Sequence, residues 1–451
     1  MTPLGHAILI GWIPAVLVLF AVLPPRRAVL AGFIAAWLFL PNYGYAIAGL
    51  PNYTKMSAAA FGALAGAFLF DRLRPLRFRP AWIDLPMGVW CVVPFFSSVT
   101  NGLGVYDGLS ESLANIITWG LPWLLGRIYL GSLPGQLDAA RAIVLGAAVY
   151  VPLCLFEVRM SPQLHRWLYG FHQEAFHTTM RFGGFRPMVF MQHGLQVGVW
   201  LGAATLIGIW CWSRGLLGRI PARVAGLRID LRWALLAVVP TFVLAKSLGA
   251  IVLVAGGLAA LFTARWTRSP LPVLAIAVAI AVYMPLRAGG FWDGRELVSA
   301  ASVVSEGRSK SLAFRLENED ILAEKAMRQP VFGWGGWGRA RVYNERGYDT
   351  SITDGLWIIA LGQNGVVGLT ALFGSMLIPP AVVLLRAPPR RWRRPALAAP
   401  VAVSVVVLLY AADCLPNGMV NPVFMLLAGG LGTLALRPIR VPVRLLHRRR
   451  R

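Results

Sequence analysis

Charge is scarce in this chain, and negative charge scarcer still. Of 451 residues only 14% are Asp, Glu, Lys or Arg, and only 19 are acidic. A soluble domain carries about 25% charged residues, so an ordinary water-soluble fold is excluded. Cysteine and histidine are equally thin, at four and six residues. Cys91, Cys154, Cys211 and Cys414 stand far apart, and three of them lie within apolar runs. That excludes a disulfide framework and a zinc cluster, and predicts buried thiols. There is no Walker loop and no His-Glu-x-x-His. The first apolar run, Leu4 to Leu23, has no basic residue ahead of it and no small-residue cleavage site, which predicts a retained helix, not a signal peptide.

What remains is apolar sequence: 57% hydrophobic residues, with a mean hydropathy of +0.63. Apolar stretches near 20 residues recur, the length that crosses a hydrocarbon core of about 30 Å. They are continuous, whereas a β-barrel would show alternating segments of about 10 residues. The expected fold class is therefore an all-α polytopic membrane protein. We read thirteen spanning segments, at about 4–23, 28–49, 56–71, 82–98, 113–131, 137–156, 189–212, 232–246, 248–264, 270–287, 354–380, 397–413 and 419–437. All 451 residues form one integral membrane domain in this reading.

The net charge of +24 would suit nucleic acid, but its placement does not. The basic residues fall in short clusters between apolar segments, among them Arg72 to Arg79, Arg386 to Arg394 and the Arg448–Arg451 tail. With the N-terminus outside and the C-terminus inside, the inner loops, tail and adjoining segment ends hold 27 of the 43 Lys and Arg. Thirteen of the other 16 sit in two long outer loops, where the positive-inside rule is weak, and Arg287 borders the second. These loops are 157–188 and 288–353. The first carries His165, His172 and His177, and Leu164, Trp167, Leu168 and Phe171 recur there at helical spacing. The second reads as helix over about Ser311 to Arg328, ended by Pro330.

Trp233 to Ala264 is a 32-residue apolar stretch with one charge, Lys246. As a single helix it would run about 48 Å, so a hairpin turning at Lys246-Ser247-Leu248-Gly249 is expected. A charge at that depth is costly unless it meets a wet cavity or a partner; snorkelling to the interface is the alternative.

The loop residues supply the chemistry. Arg binds phosphate oxygens with a planar fork, and Arg186 and Arg315 each stand beside an apolar run or helix that could aim them inward. Gly333-Trp-Gly335-Gly336-Trp-Gly338 matches G-x-G-x-x-G, but follows a helix and Pro330 instead of a strand, so dinucleotide binding is not implied. Its glycines suit a close backbone approach to a ligand or a neighbouring helix. Trp334 and Trp337 offer flat faces for a sugar, or interfacial anchors. Asp354 opens the eleventh segment, where it would serve as helix cap or as general base. Glu317, Glu319 and His193 are rival bases, and Glu319 lies four residues after Arg315, within pairing distance on one helix face.

The order of these parts resembles the O-antigen ligase and O-antigen polymerase (Wzy-type) superfamily. The matching elements are Gly183-Gly184-Phe185-Arg186-Pro187, the Lys246-Ser247-Leu248-Gly249-Ala250 turn, Arg315 opening the loop helix, Pro330-Val-Phe-Gly333-Trp-Gly335, and Asp354 running into Gln363-Asn364-Gly365-Val-Val-Gly368-Leu369. They cover about 186–380. The resemblance implies a GT-C-like glycosyltransferase of the bacterial inner membrane. Its donor would be a glycan on a polyprenyl pyrophosphate, with no cofactor, no required metal and no nucleotide sugar. Membrane lipid and polysaccharide-assembly proteins would be its other partners. Arg186, Lys246 and Arg315 would hold the pyrophosphate, with Trp334 and Trp337 on the substrate. Asp354, with Arg315 and Glu319, would be catalytic. Ligases of the family place a His where this chain has Asp354, which favours a polymerase. A polysaccharide or lipid transporter, or a non-catalytic assembly partner, is the alternative.

Overall fold

A computed structural model describes residues 1–451 except 182, 217–218, 222–227, 305, 393 and 439–451. The Arg448–Arg451 tail thus lies outside the described residues. The described chain is mostly helical. Seven helices are long and apolar enough to cross a membrane, or eight if the bent pair Pro3–Ile10 and Trp12–Val22 is one span. Three more apolar helices are shorter: Lys55–Phe70, Leu231–Leu244 and Pro422–Leu436. This is the build of a multi-pass helical membrane protein.

A helix overlies each of the thirteen apolar segments, with shifted ends. The segment at 28–49 is helical only to Phe39; Pro41 follows, and the chain turns into a ribbon pairing Gly44–Ile47 with Leu50–Thr54. Proline limits the helix because its ring disfavours helical geometry in the residue before it. The segment at 113–131 is reached by Val105–Asn115 and continues through a π turn, Ile116–Gly120, into Leu121–Tyr129. Many helices instead start with proline in their first turn, where a missing N–H costs nothing.

Gly194–Trp212 and Pro395–Asp413 form the centre, with most of their residues enclosed by other helices, whereas Leu248–Thr267 and Leu271–Ala288 lie at the periphery. Small residues permit the tightest contacts. A Cβ on Gly126 would lie 1.9 Å from the Leu426 carbonyl oxygen, and one on Gly429 would lie 2.1 Å from that of Trp123. Leu121–Tyr129 and Pro422–Leu436 therefore pack backbone against backbone, as membrane helices do where lipid gives no hydrophobic drive between them.

Among its described residues the loop 288–353 contains two helices, Arg295–Val304 and Glu306–Ala326. The second begins earlier than Ser311 because Glu306 suits the positive helix start. It contacts the C-terminal end of Leu271–Ala288 and the N-terminal end of Leu356–Arg386. In the first loop a single short helix, Leu164–Tyr169, lies under the apolar spacing.

Candidate functional site

The Arg315-Leu-Glu-Asn-Glu sequence is a docking strip. Three of its side chains reach three residues of the chain entering Leu356–Arg386. Asn318 Oδ1 accepts from the Ile352 N–H at 2.8 Å, Arg315 Nε lies 3.3 Å from Asp354 Oδ2, and Glu319 Oε1 accepts from Trp357 Nε1 at 3.1 Å. Positions three and four apart on a helix share a face, so one strip sets the register of the incoming segment.

Glu319 does not pair with Arg315. It is buried, and its second oxygen accepts from the Tyr283 hydroxyl at 2.7 Å and meets Arg287 Nε at 3.4 Å. Burial pushes its carboxyl above the usual range, while Tyr283, Trp357 and Arg287 pull it back. Both of its oxygens face fixed protein donors, which suits positioning.

Asp354 is not the helix cap. The helix starts at Leu356 behind Gly355, with no side-chain cap. The Leu356 N–H donates instead to the carbonyls of Cys414 and Asn417. Gly355 makes this possible, since a Cβ there would lie 2.1 Å from the Leu415 oxygen. Asp354 is released to the Arg315 pair, in which the two side chains are 39% and 32% exposed.

Arg315 also donates through Nη1 to the Pro416 carbonyl at 3.1 Å and reaches Asn417 Oδ1 at 3.4 Å. Asn417 is itself held by Asp413, whose Oδ1 accepts from its amide at 3.0 Å. Asp413 is buried at the end of Pro395–Asp413, within the field of both Arg315 and Arg186. Sequence reasoning missed it. The signal was present, because Asp413 is the only acidic residue after Asp354.

Arg186 is buried and Nη2 donates to Ser247 Oγ at 3.2 Å. It stands beside the Met180–Arg181/Gly184–Phe185 hairpin, with its own N–H on the Thr179 carbonyl, and the helix it precedes begins only at Gly194. Gly194 and Gly198 leave the room: Cβ atoms there would lie 2.5 Å from Arg186 Cδ and 2.4 Å from Ser247 Cβ. The hairpin expected at Lys246 is present, with Leu231–Leu244 and Leu248–Thr267 as its arms. Lys246 occupies the left-handed region at φ 54°, and its ammonium donates to the Arg181 carbonyl at 3.1 Å. It thus joins the hairpin beside Arg186.

His193 caps Gly194–Trp212, with Nδ1 accepting from the Leu195 N–H. It lies just outside that helix. Burial, then Arg186, Arg181 and Arg315, push it down to about 4. The neutral ring with an accepting Nδ1 carries its proton on Nε2, so His193 offers a donor, not a base. Glu317 makes no contact that brings it into this group.

The Gly-Trp repeat lies apart. Gly365 breaks Leu356–Arg386 at φ 65° and ψ −167°, and the repeat fills the break. The Trp334 and Gly335 N–H groups donate to the Gly362 and Gln363 carbonyls, while Val366 N–H donates to Pro330. Gly333, at φ 67°, would place a Cβ 2.6 Å from the Gln363 carbonyl carbon. These glycines therefore serve a close approach to a neighbouring helix. Trp334 is fixed, Nε1 donating to the Lys325 carbonyl, while Trp337 is 72% exposed beneath Arg341.

The arrangement thus gathers Arg315, Asp354, Arg186, His193, Asp413 and Asn417, with Lys246 at its edge. Val199, Ala250, Val254, Leu409, Tyr410 and Phe424 bound a small apolar cleft of about 20 Å³. Among the described residues, no cluster of three His, Cys, Asp or Glu could hold a metal ion. No protein-family model matches this chain, and no curated protein matches it.

Proposed function

We propose that this protein is a glycosyltransferase of the O-antigen polymerase type, working on the outer face of a bacterial inner membrane. It would move a glycan from polyprenyl pyrophosphate to a sugar hydroxyl. In this reading the chain crosses the membrane thirteen times in a GT-C-like arrangement, N-terminus outside and C-terminus inside. The observation that carries it is that Arg186 and Arg315 converge on the buried Asp413, Arg315 also reaching Asn417. The pyrophosphate of a lipid-linked donor is an anion that two such guanidinium groups would meet. Two guanidinium groups neutralise the phosphates and stabilise the pyrophosphate as it leaves. Neutral His193 can donate from Nε2 to the same oxygens. Asp354 is the proton acceptor for the attacking hydroxyl: it is part-exposed, and Arg315 orients it.

The test is the lipid-linked pool in cells lacking the protein. Single repeat units on lipid should accumulate, and wild-type protein should clear them where Arg315→Ala does not. Full-length chains on lipid would point to a ligase. An unchanged pool, or clearance by Arg315→Ala, overturns the proposal. A reporter fused near Ser309 should be active only as an exported enzyme.

A further inference from the structure

Arg186 is placed by the turn that follows it, and that turn is tied down from outside. A Cβ on Gly194 would lie 2.5 Å from Arg186 Cδ, so residues 187–193 fold back far enough to lay the next helix start against the Arg186 side chain. Pro187 has a fixed φ. Val189 takes the left-handed region at φ 52°, where a β-branched residue is an outlier. Such a conformation persists only where its surroundings over-determine it.

The surroundings of this turn do so. Every backbone polar group from Met188 to Met191 has a partner. The Met188 and Val189 N–H groups donate to Glu157 Oε2 at 2.8 and 2.7 Å, and the Phe190 N–H donates to the Tyr150 hydroxyl at 3.0 Å. The Met191 N–H closes the turn on the Met188 carbonyl. Gln173 Nε2 donates to the Val189 and Met191 carbonyls, and Asn42 Nδ2 to that of Phe190.

Among these partners Glu157 is the ionisable carboxyl, and it is 1% exposed. It stands seven residues after Tyr150 on Leu133–Met160, so both face the turn from one side of that helix. Successive backbone N–H groups in a turn form a concavity for an anion, and Glu157 fills it. Its other oxygen accepts from the Leu164 N–H at 3.1 Å. Burial pushes its carboxyl above the usual range, while the Val189, Met188 and Leu164 N–H groups pull it back. Hydrogen bonds to an ionised acceptor are stronger than neutral ones.

We propose that Glu157 is a positioning residue for Arg186: it holds the 188–191 turn in its left-handed form and so keeps the guanidinium at Ser247. That Arg186 then meets a pyrophosphate rests on the proposed transfer reaction; the hold on the turn does not.

The experiment makes two measurements on the full chain in detergent: amide hydrogen exchange by mass spectrometry, and binding of geranylgeranyl pyrophosphate. Glu157→Gln offers one acceptor oxygen where the carboxylate has two. It should speed exchange over residues 186–193, leave Leu356–Arg386 as in wild type, and weaken the probe roughly tenfold. Arg186→Ala should weaken it as well, and adding Glu157→Gln to Arg186→Ala should weaken it no further, because residues acting through one group are not additive. Tyr150→Phe, which removes only the bond to the Phe190 N–H, should show the same pattern to a smaller degree, and it decides the matter if Glu157→Gln does not fold. Unchanged exchange in the turn, binding equal to that of a wild type that binds, or additive losses in the double variant overturns the positioning role. Faster exchange in Glu157→Gln beside a wild type that does not bind the probe, or beside an Arg186→Ala that binds as wild type does, overturns the transfer reading and leaves the hold on the turn standing.

Discussion

Arg287 packs against the helix Glu306–Ala326 and Arg315 stands on it, and the two are held in opposite ways. Arg287 is 1% exposed. It meets Glu319 and Asp320 and donates to the carbonyls of Trp292 and Leu316. Arg315 is part-exposed and faces Asp354 at 3.3 Å, with Pro416 and Asn417 beside it. Arg127 resembles the first: it is 6% exposed and bound through Nε and Nη2 to Asp84 and through Nη1 to Thr433. A buried ion is tolerated only when its polar atoms are met, and a saturated guanidinium has nothing left for a ligand. A part-exposed one held by longer contacts can exchange partners. Full saturation by protein partners, as at Arg287 and Arg127, marks the anchor; looser contacts, as at Arg315, mark a group that can exchange partners.

The strongest attack on this contrast is Arg315→Ala. It should abolish glycan transfer while the protein stays folded, because a part-exposed pair is worth at most about 1 kcal/mol. Arg315→Lys should fail as well, since a point charge lacks the fork. Transfer assays beside thermal unfolding decide it, and a large loss of stability would make Arg315 a second anchor.

Asp354→Asn comes next. The helix end is held by the Cys414 and Asn417 carbonyls, so folding should be unchanged, whereas loss of a general base lowers turnover by about 10²–10⁴-fold. Near-normal turnover would leave Asp354 as the partner of Arg315 only.

Glu319→Ala should do the reverse. It strands Arg287 and Trp357 Nε1, and breaking a buried pair costs about 3–5 kcal/mol. Lower expression and a lower unfolding temperature are expected, with turnover per folded molecule less affected than in Asp354→Asn.

The smallest effect concerns His193. Its folded-state value of about 4 lies below the ordinary 6.5. Between these values the unfolded chain binds more protons, so stability rises with pH from about 4 to 6.5 and is lost as pH falls. His193→Asn, which retains a capping side chain, should remove that part of the pH dependence of unfolding. An identical dependence in both proteins would show that His193 is not held neutral by burial and the arginines.

Much of this was legible in the sequence, because bilayer and backbone physics act locally. Uninterrupted apolar runs dictate helices, since no backbone polar group can stay unpaired in lipid. The Lys246 turn followed from a length that one helix cannot span. The Gly-Trp repeat announced a close backbone approach, and Arg186, Arg315 and Asp354 stood out as charges beside apolar runs. The sequence could not tell which partners those charges take. Arg315 and Glu319 are four residues apart, yet one turns to Asp354 and the other to Arg287 and Trp357, because Leu271–Ala288 and Leu356–Arg386 arrive on different sides of their helix. Nor could it show that Gly355 lets the Cys414 and Asn417 carbonyls cap a helix and so frees Asp354. Asp413 joins the site from a distant helix end. Local pattern determined the elements and the candidate charges; tertiary packing decided which charges are saturated and which remain able to bind.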